Sequence, residues 1–475
     1  MNINKKEPPR IHYYDQDFVD VYDKTWAFIK DSWIKGGPDS PFSKQFFNHP
    51  HAQTINQVDA AMSSFFLVYS NNVYSPLTLL DNFYSQQEES GAIRGEYDLE
   101  TGRPILSADN PEGILPPLFA WAEFNVYHKI GLKRRVKEVM PYLEKHFNWM
   151  EATLKKENGL YAVPLSATLL ESTARENAAY TVDFNAIVAM HALYISAMGD
   201  ILNDKDIAFR YKKHYFSIKT RINSQMWNDA DSFYYDLDSD GNQIKVKSLG
   251  AYWTLMAEIP NEDRADRIIA YLKNEKHFGT SHPFPSLSAS EPSFKKTGEG
   301  PNGSVYPYLT FMVIKGLEKY GKYELARESA IKHMYYILDT LHPDSKEKGS
   351  LWEAYLPTKE GKAIWTDRPD FPRENHMASV ALSTVTLMIE NVVGLFISLP
   401  RKTVDWIVPT LELMGIEGLS LKRNFITILS SKSGRGWEIR LESEKLYYFT
   451  IDILNKKKKT LPIPSGKCSM LIDKL

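Results

Sequence analysis

GLYAVPLSATLLESTARENAAYTVDFNA, residues 159–186, joins two long helical patterns with polar chemistry that neither helix requires. From Ala186 the chain runs AIVAMHALYISAM (186–198), apolar on every face, and a helix of that kind is covered on all sides. The loop ahead of it carries Glu171, Arg175, Glu176 and Asn177 within seven positions, and Asp183 opens the helix. Carboxylates clustered at the mouth of a buried helix suit a general acid. The same residues also suit a solvated loop with Asp183 as a helix cap.

The pattern of that helix recurs along the chain. Twelve helical segments are read at 16–34, 55–70, 74–88, 115–130, 133–155, 183–201, 204–226, 247–258, 262–275, 303–319, 323–341 and 375–396. Odd-numbered segments are amphipathic and charged, as in KRRVKEVMPYLEKHFNWM (133–150). Even-numbered segments, such as AAMSSFFLVYS (60–70), LFAWAEFNVYHKI (118–130) and SVYPYLTFMVIKGL (304–317), are apolar nearly all round. Six enclosed helices alternating with six one-sided helices imply an inner ring wrapped by an outer one, an all-α (α/α)6 barrel. The links from outer to inner helices (35–54, 89–114, 156–182, 227–246, 276–302 and 342–374) are long, whereas the return links are a few residues. Long loops in compact domains are usually functional. Here they gather over the N-termini of the inner helices, whose free N–H groups favour carboxylates and ligand oxygens. A helical solenoid would instead show a fixed repeat length and uniform short loops.

After residue 396 the texture changes. Pro400 and Pro409 are followed by short alternating runs, NFITILSS, GWEIRLES, LYYFTIDIL and CSMLIDKL, separated by turn signals such as SKSGRG. The expected division is a catalytic barrel over 1–400 and a small antiparallel, β-sandwich-like accessory domain over 401–475. Lys456 to Lys459 read as a solvated hairpin tip.

Composition narrows the function. The 475 residues carry a net charge of −2, with no electrostatic footprint for nucleic acid or an anionic membrane. Aromatic residues reach 13%, and flat rings stack on sugar faces, although large helical cores also use them. One cysteine, Cys468, excludes an intrachain disulfide and four-cysteine zinc sites, and the 12 histidines show no metal-ligand spacing, so neither metal nor cofactor is expected. No 18-residue apolar run or N-terminal apolar h-region occurs. The expectation is a soluble protein, monomeric or weakly homo-oligomeric, acting on a small carbohydrate. It would be cytoplasmic as the sequence stands, and periplasmic or secreted if a signal peptide has been removed.

Seven segments, in order, resemble the trehalase and mannosylglycerate-hydrolase-like six-hairpin glycosidases. They are VDAAMSSFF (58–66), LDNFYSQQEESGAIRGEY (80–97), LPPLFAWAEFNVY (115–127), GLYAVPLSATLLESTAR with TVDFNA (159–175 and 181–186), FYYDLDSDG (233–241), GSVYPYLTFMVIKGL (303–317) and LWEAYLPTKEGK (351–362). The resemblance covers about residues 52 to 475. It implies inverting hydrolysis of an α-glycosidic bond, one carboxylic acid protonating the leaving oxygen while a carboxylate activates water on the opposite face.

By alignment with the family segments, Glu171 stands where the family has its acidic Asp, with Glu176 as the alternative acid, and Glu353 stands as the base. Asp59 matches the Asp that holds sugar hydroxyls, and Asp183 the Asp that opens the inner helix. Further candidate sugar contacts are Arg94, Glu96, Trp121, Arg175, Tyr234, Tyr235, Tyr306, Trp352 and Tyr355. Arg94 and Glu96 equally suit loop ion pairs, and Trp121, like Trp253, sits inside an apolar helix. The sequence departs from the family at Val58, Glu171 and Tyr306 and in DFPRENH (370–376). A degenerate barrel that binds sugar without cleaving it, or a scaffold protein, are the competing readings.

Overall fold

The computed structural model describes residues 6–35, 39–342, 344, 349–408, 412–421, 424–433, 436–445, 447–453, 457–463 and 465–472. Among the described residues, helical elements lie at all twelve places where the apolar periodicity puts them. They are α1 (Gln16–Asp31), α2 (Gln57–Leu67, extended by a 3-10 turn to Ser70), α3 (Leu77–Tyr84), α4 (Phe119–Ile130), α5 (Lys133–Thr153), α6 (Val182–Leu202) and α7 (Lys205–Gln225). Then come α8 (Trp253–Met256, entered through a 3-10 turn from Leu249), α9 (Glu262–Ala270), α10 (Pro307–Lys319), α11 (Tyr323–Leu341) and α12. The last begins as Met377–Ala381 and widens to π winding over Leu382–Val393.

Local chemistry sets several of these boundaries. The Asn56 side chain accepts hydrogen bonds from the Val58 and Asp59 amides and starts α2; Asp204 and Asn261 do the same for α7 and α9. Pro307 opens α10, where its missing N–H costs nothing. Gly394 ends α12 at φ +90°, with a Cβ position only 2.1 Å from the Ile407 carbonyl oxygen, so no other residue fits there.

The even-numbered helices touch in order, α2 to α4, α4 to α6, α6 to α8, α8 to α10, α10 to α12, and α12 returns to α2. Along α6 and α12 nearly every side chain is buried. By length and composition α6 could cross a membrane, but it is enclosed by protein here. Outer helices pack outside them: α5 against α4 and α6, α7 against α6, α11 against α10 and α12, and α1 against α11 and α12.

The β portion differs from expectation in four ways. Its first strand, β2 (Leu395–Ser398), precedes Pro400, and β3 (Thr403–Val408) follows. The remaining strands are β4 (Met414–Leu421), β5 (Asn424–Ser433), β6 (Gly436–Ser443), β7 (Tyr447–Ile453), β8 (Lys457–Ile463) and β9 (Gly466–Ile472). An N-terminal strand, β1 (Arg10–Tyr13), joins them, giving a five-stranded sheet of order β1-β4-β5-β6-β9 beside a four-stranded sheet of order β2-β3-β7-β8. The pairing of β3 with β7 is parallel, so the portion is not purely antiparallel. Lys457 to Lys459 open strand β8 opposite Ile451 to Ile453 and do not form the hairpin tip; Lys456 lies outside the described residues.

These sheets sit against the C-terminal parts of α2, α4 and α12. There Glu390 bridges Lys129 (3.0 Å) and Lys315 (2.6 Å) and accepts from the Tyr69 hydroxyl, tying α12 to three other inner helices. The opposite, N-terminal ends of the inner helices remain free to carry a pocket.

Candidate active site

At those N-terminal ends lies a cavity of about 530 Å³. Its wall combines the start of α2 (Asn56, Val58, Asp59, Met62), the loop before α6 (Ser166, Thr168, Leu169, Glu171), the start of α10 (Tyr306, Tyr308) and the loop entering α12 (Glu353 to Ser379). Short contacts fix these segments to one another. Tyr308 donates to the Leu169 carbonyl at 3.0 Å, and Ser172 donates to Asn302 at 2.6 Å, so the loop bearing Glu171 is pinned to the segment before α10. One side is aromatic: Tyr306 packs on Tyr308 and Phe371, and Trp365 meets Phe371 edge-on.

Glu171 and Glu353 both face this cavity, in different surroundings. Burial raises the pKa of Glu171 and nearby Asp109 adds to the rise; Arg368, 3.4 Å away and stacked over Trp365, opposes it only in part. Burial would also raise Glu353, but the Arg373 guanidinium holds it in a two-pronged pair, 2.7 Å to one oxygen and 3.0 Å to the other. The Arg373 amide adds a third bond, and the net shift is downward. Asp59 is half-buried, which works to raise it, yet His376 Nε2 (3.3 Å) and Arg373 (3.4 Å) keep its carboxyl far below the usual range. The site therefore presents one carboxyl biased toward the acid and two biased toward carboxylates.

Of the sequence candidates, Asp59, Glu96, Glu171, Tyr306 and Glu353 line the cavity. The others do not. Arg175 is fully buried between Asp183 and Asp236, at 3.0 and 2.7 Å, so Arg175 and Asp183 neutralise each other behind the wall and neither lines it as a sugar contact. Glu176 is exposed and outside the cavity lining. Arg94 is paired with Glu88 and Glu112, and its guanidinium lies over Trp149. Trp121 is core, wedged among Phe65, Trp253 and Phe311. Tyr234 and Tyr235 are buried, Tyr234 bonding Asn223, and form no subsite wall. Trp352 and Tyr355 are buried as well, the Tyr355 hydroxyl accepting from the Trp352 amide. Flanking Glu353 in sequence, they turn inward and shape its loop.

The residues that sequence reasoning missed are Tyr308, Trp365, Arg368, Phe371, Arg373 and His376. All but Tyr308 come from 365–376, a stretch that takes in DFPRENH (370–376), where the sequence departs from the family pattern. The signal was present: two arginines and a histidine within nine positions, ahead of a buried helix. Among the described residues, no group of three or more His, Cys, Asp or Glu side chains is placed to hold a metal ion.

Comparison with known proteins agrees with this architecture. Residues 107–371 match the family model described as the mannosylglycerate hydrolase MGH1-like glycoside hydrolase domain, and residues 394–475 match the trehalase C-terminal domain. A protein of Borreliella burgdorferi strain B31 is 51% identical over 477 residues, covering all of both chains. Among solved structures, the GH63 mannosylglycerate hydrolase from Thermus thermophilus in complex with glucose superposes with a TM-score of 0.60 at 16% identity, covering 77% of this chain and 99% of that one. A sialidase gives a TM-score of 0.73 at 15% identity; the match takes in 96% of this chain and 41% of the sialidase. At such identities the likeness is one of fold.

Proposed function

Because the chain belongs to the mannosylglycerate hydrolase MGH1-like glycoside hydrolases, we propose that it cleaves an α-linked glucosyl- or mannosyl-type disaccharide or small glycoside with inversion, on an (α/α)6 barrel. In this reading Glu171 protonates the leaving oxygen and Glu353 draws a proton from the attacking water. The observation that carries it is the opposed tuning of two carboxyls on one wall, Glu171 raised by burial and Glu353 lowered by Arg373. Asp59, held as a carboxylate by His376 and Arg373, would accept hydrogen bonds from hydroxyls of the sugar ring being transferred. The aromatic side of Tyr306, Trp365 and Phe371 gives the sugar faces a flat surface. Arg368, exposed at the Glu171 side, would face the leaving group.

The test is proton NMR of anomeric signals with trehalose, glucosylglycerate, mannosylglycerate and other α-linked disaccharides. Release of the β-anomer first, lost on Glu171→Gln and on Glu353→Gln, is the expected result. Release of the α-anomer first, or turnover left undiminished by either substitution, would sink the assignment.

One observation favours a second reading. Arg373 engages both oxygens of Glu353 and donates from its amide as well, which leaves a weak base with few free lone pairs. A barrel that binds sugar without cleaving it would show saturation transfer to one glycoside and no turnover of any.

A further inference from the structure

Behind Asp59 a second, smaller chamber adjoins the cavity. Asn56, Asp59, His376 and Ala378 belong to both, and form the partition. The chamber is walled by apolar side chains such as Phe46, Phe47 and Phe83, yet polar side chains line it too, among them His49, Ser63, Asn82 and His376. Each of these four has a buried atom without a hydrogen-bond partner in the protein: His49 Nδ1, Ser63 Oγ, Asn82 Nδ2 and His376 Nδ1. An unpartnered buried polar atom is costly, and four around one space call for a shared occupant.

The chemistry of three of these atoms is complementary. Asn82 Oδ1 accepts from the Ser43 amide, so its Nδ2 must be a donor. His376 Nε2 faces the Asp59 carboxylate and carries the proton, so in the neutral ring its Nδ1 is an acceptor. Ser63 serves either way. About 20 Å³ of the chamber is open to the centre of a water molecule, and one water needs about 10–15 Å³ on that measure. The rings of His49 and His376 meet edge to face at 5.4 Å, which closes the side nearest them.

We propose that this chamber holds one ordered water, accepting from Asn82 Nδ2 and donating to His376 Nδ1, and that Ser63, Asn82 and His376 are positioning residues for Asp59. The water fixes the His376 tautomer; the tautomer fixes the bond to Asp59; Asp59 is thereby aimed into the sugar cavity. No proton or electron changes hands. The consequence for sugar rests on the glycosidase reading, whereas the water and the tautomer do not.

The experiment uses the full chain and two variants. Ser63→Val fills the chamber and expels the water; Ser63→Ala leaves room for it. A crystal structure of the unchanged protein is expected to show a water within hydrogen-bond distance of Asn82 Nδ2 and His376 Nδ1. With histidine labelled in both ring nitrogens, His376, assigned through His376→Gln, is expected to show the Nε2-protonated tautomer in the unchanged protein and in Ser63→Ala, and a mixture in Ser63→Val. On the glycoside found above, Ser63→Val is expected to raise KM about tenfold or more while kcat changes less, the size of a hydrogen bond to a charged group. Thermal midpoints of the two variants identify any general loss of folding. A dry chamber, or a Ser63→Val protein whose His376 tautomer is that of the unchanged protein, overturns the proposal. If no glycoside is bound or cleaved by the unchanged protein, the functional reading fails alone, because the water and tautomer measurements need no substrate.

Discussion

Glu171 and Glu353 bring the same carboxyl group into one cavity, and their neighbours separate them. If Glu353 must be ionised to act, activity rises with pH through its lowered pKa. If Glu171 must be protonated, activity falls as pH rises through its raised one. The kcat/KM profile is therefore expected to be a bell with its acid limb below, and its alkaline limb above, the ordinary glutamate range. Arg368 is the group that pulls Glu171 down, so Arg368→Met is expected to move the alkaline limb higher and leave the acid limb in place. An unmoved or lowered alkaline limb would detach that limb from Glu171. Removing either carboxylate by Glu→Gln is expected to cost roughly 10²- to 10⁴-fold in kcat. Arg175 belongs to a different account. It is paired with two buried carboxylates, so Arg175→Met is expected to lower the unfolding free energy by about 3–5 kcal/mol, read from a denaturant midpoint. The sequence set Arg175 beside Glu171 as a sugar contact because adjacency along a chain says nothing of which side chains turn inward.

The helices were legible because their apolar periodicity is long. AIVAMHALYISAM admits no solvent-facing stripe, and α6 has none. Loops lack such redundancy. Within FYYDLDSDG, Tyr234 and Tyr235 read as a subsite wall, yet both pack inward, because short strands at 233–234 and 236–237 turn those side chains into the protein. Arg373 and His376 were hidden in a segment that departs from the family pattern, so resemblance could not flag them. The parallel pairing of β3 with β7 was illegible for another reason: alternation reveals a strand but not its partner. Between helices, one position tests how closely α6 and α7 approach. A Cβ on Gly199 would lie 2.7 Å from the Ala208 amide nitrogen and 3.0 Å from its Cα, both backbone atoms. Gly199→Ala would gain up to about 1 kcal/mol in helix propensity but costs about 1–3 kcal/mol in overpacking. A lowered thermal midpoint is expected; a raised one would mean the two helices can separate freely.

Across the molecule, two surfaces of the helical ring have different tasks. The N-terminal ends of the inner helices carry the cavity, and the C-terminal ends are covered by sheets and tied by Glu390. The strand β1 belongs to that cover: Ile11 and Tyr13 are 4% and 5% exposed, and His12 pairs with Glu417 at 2.9 Å. Replacing Ile11 and Tyr13 together by lysine is expected to free β1 from β4, so that limited proteolysis cuts before residue 15 while the cavity keeps its ligand affinity. Resistance to cleavage would show that β1 is held by more than these two side chains. The pairing of Arg10 with Glu417 has a consequence in time. A ribosome extending the chain at about 5–20 residues per second needs roughly 20–80 s to travel from one to the other. For that interval the strand has left the exit tunnel with only α1 to pack against, Tyr13 on Phe18, and its β4-facing edge unpaired, so that edge stands open to chaperones from its emergence. Only β4 supplies the partner that β1 has been waiting for, and a chain released before β4 is made carries that unpaired edge as a mark of its own incompleteness.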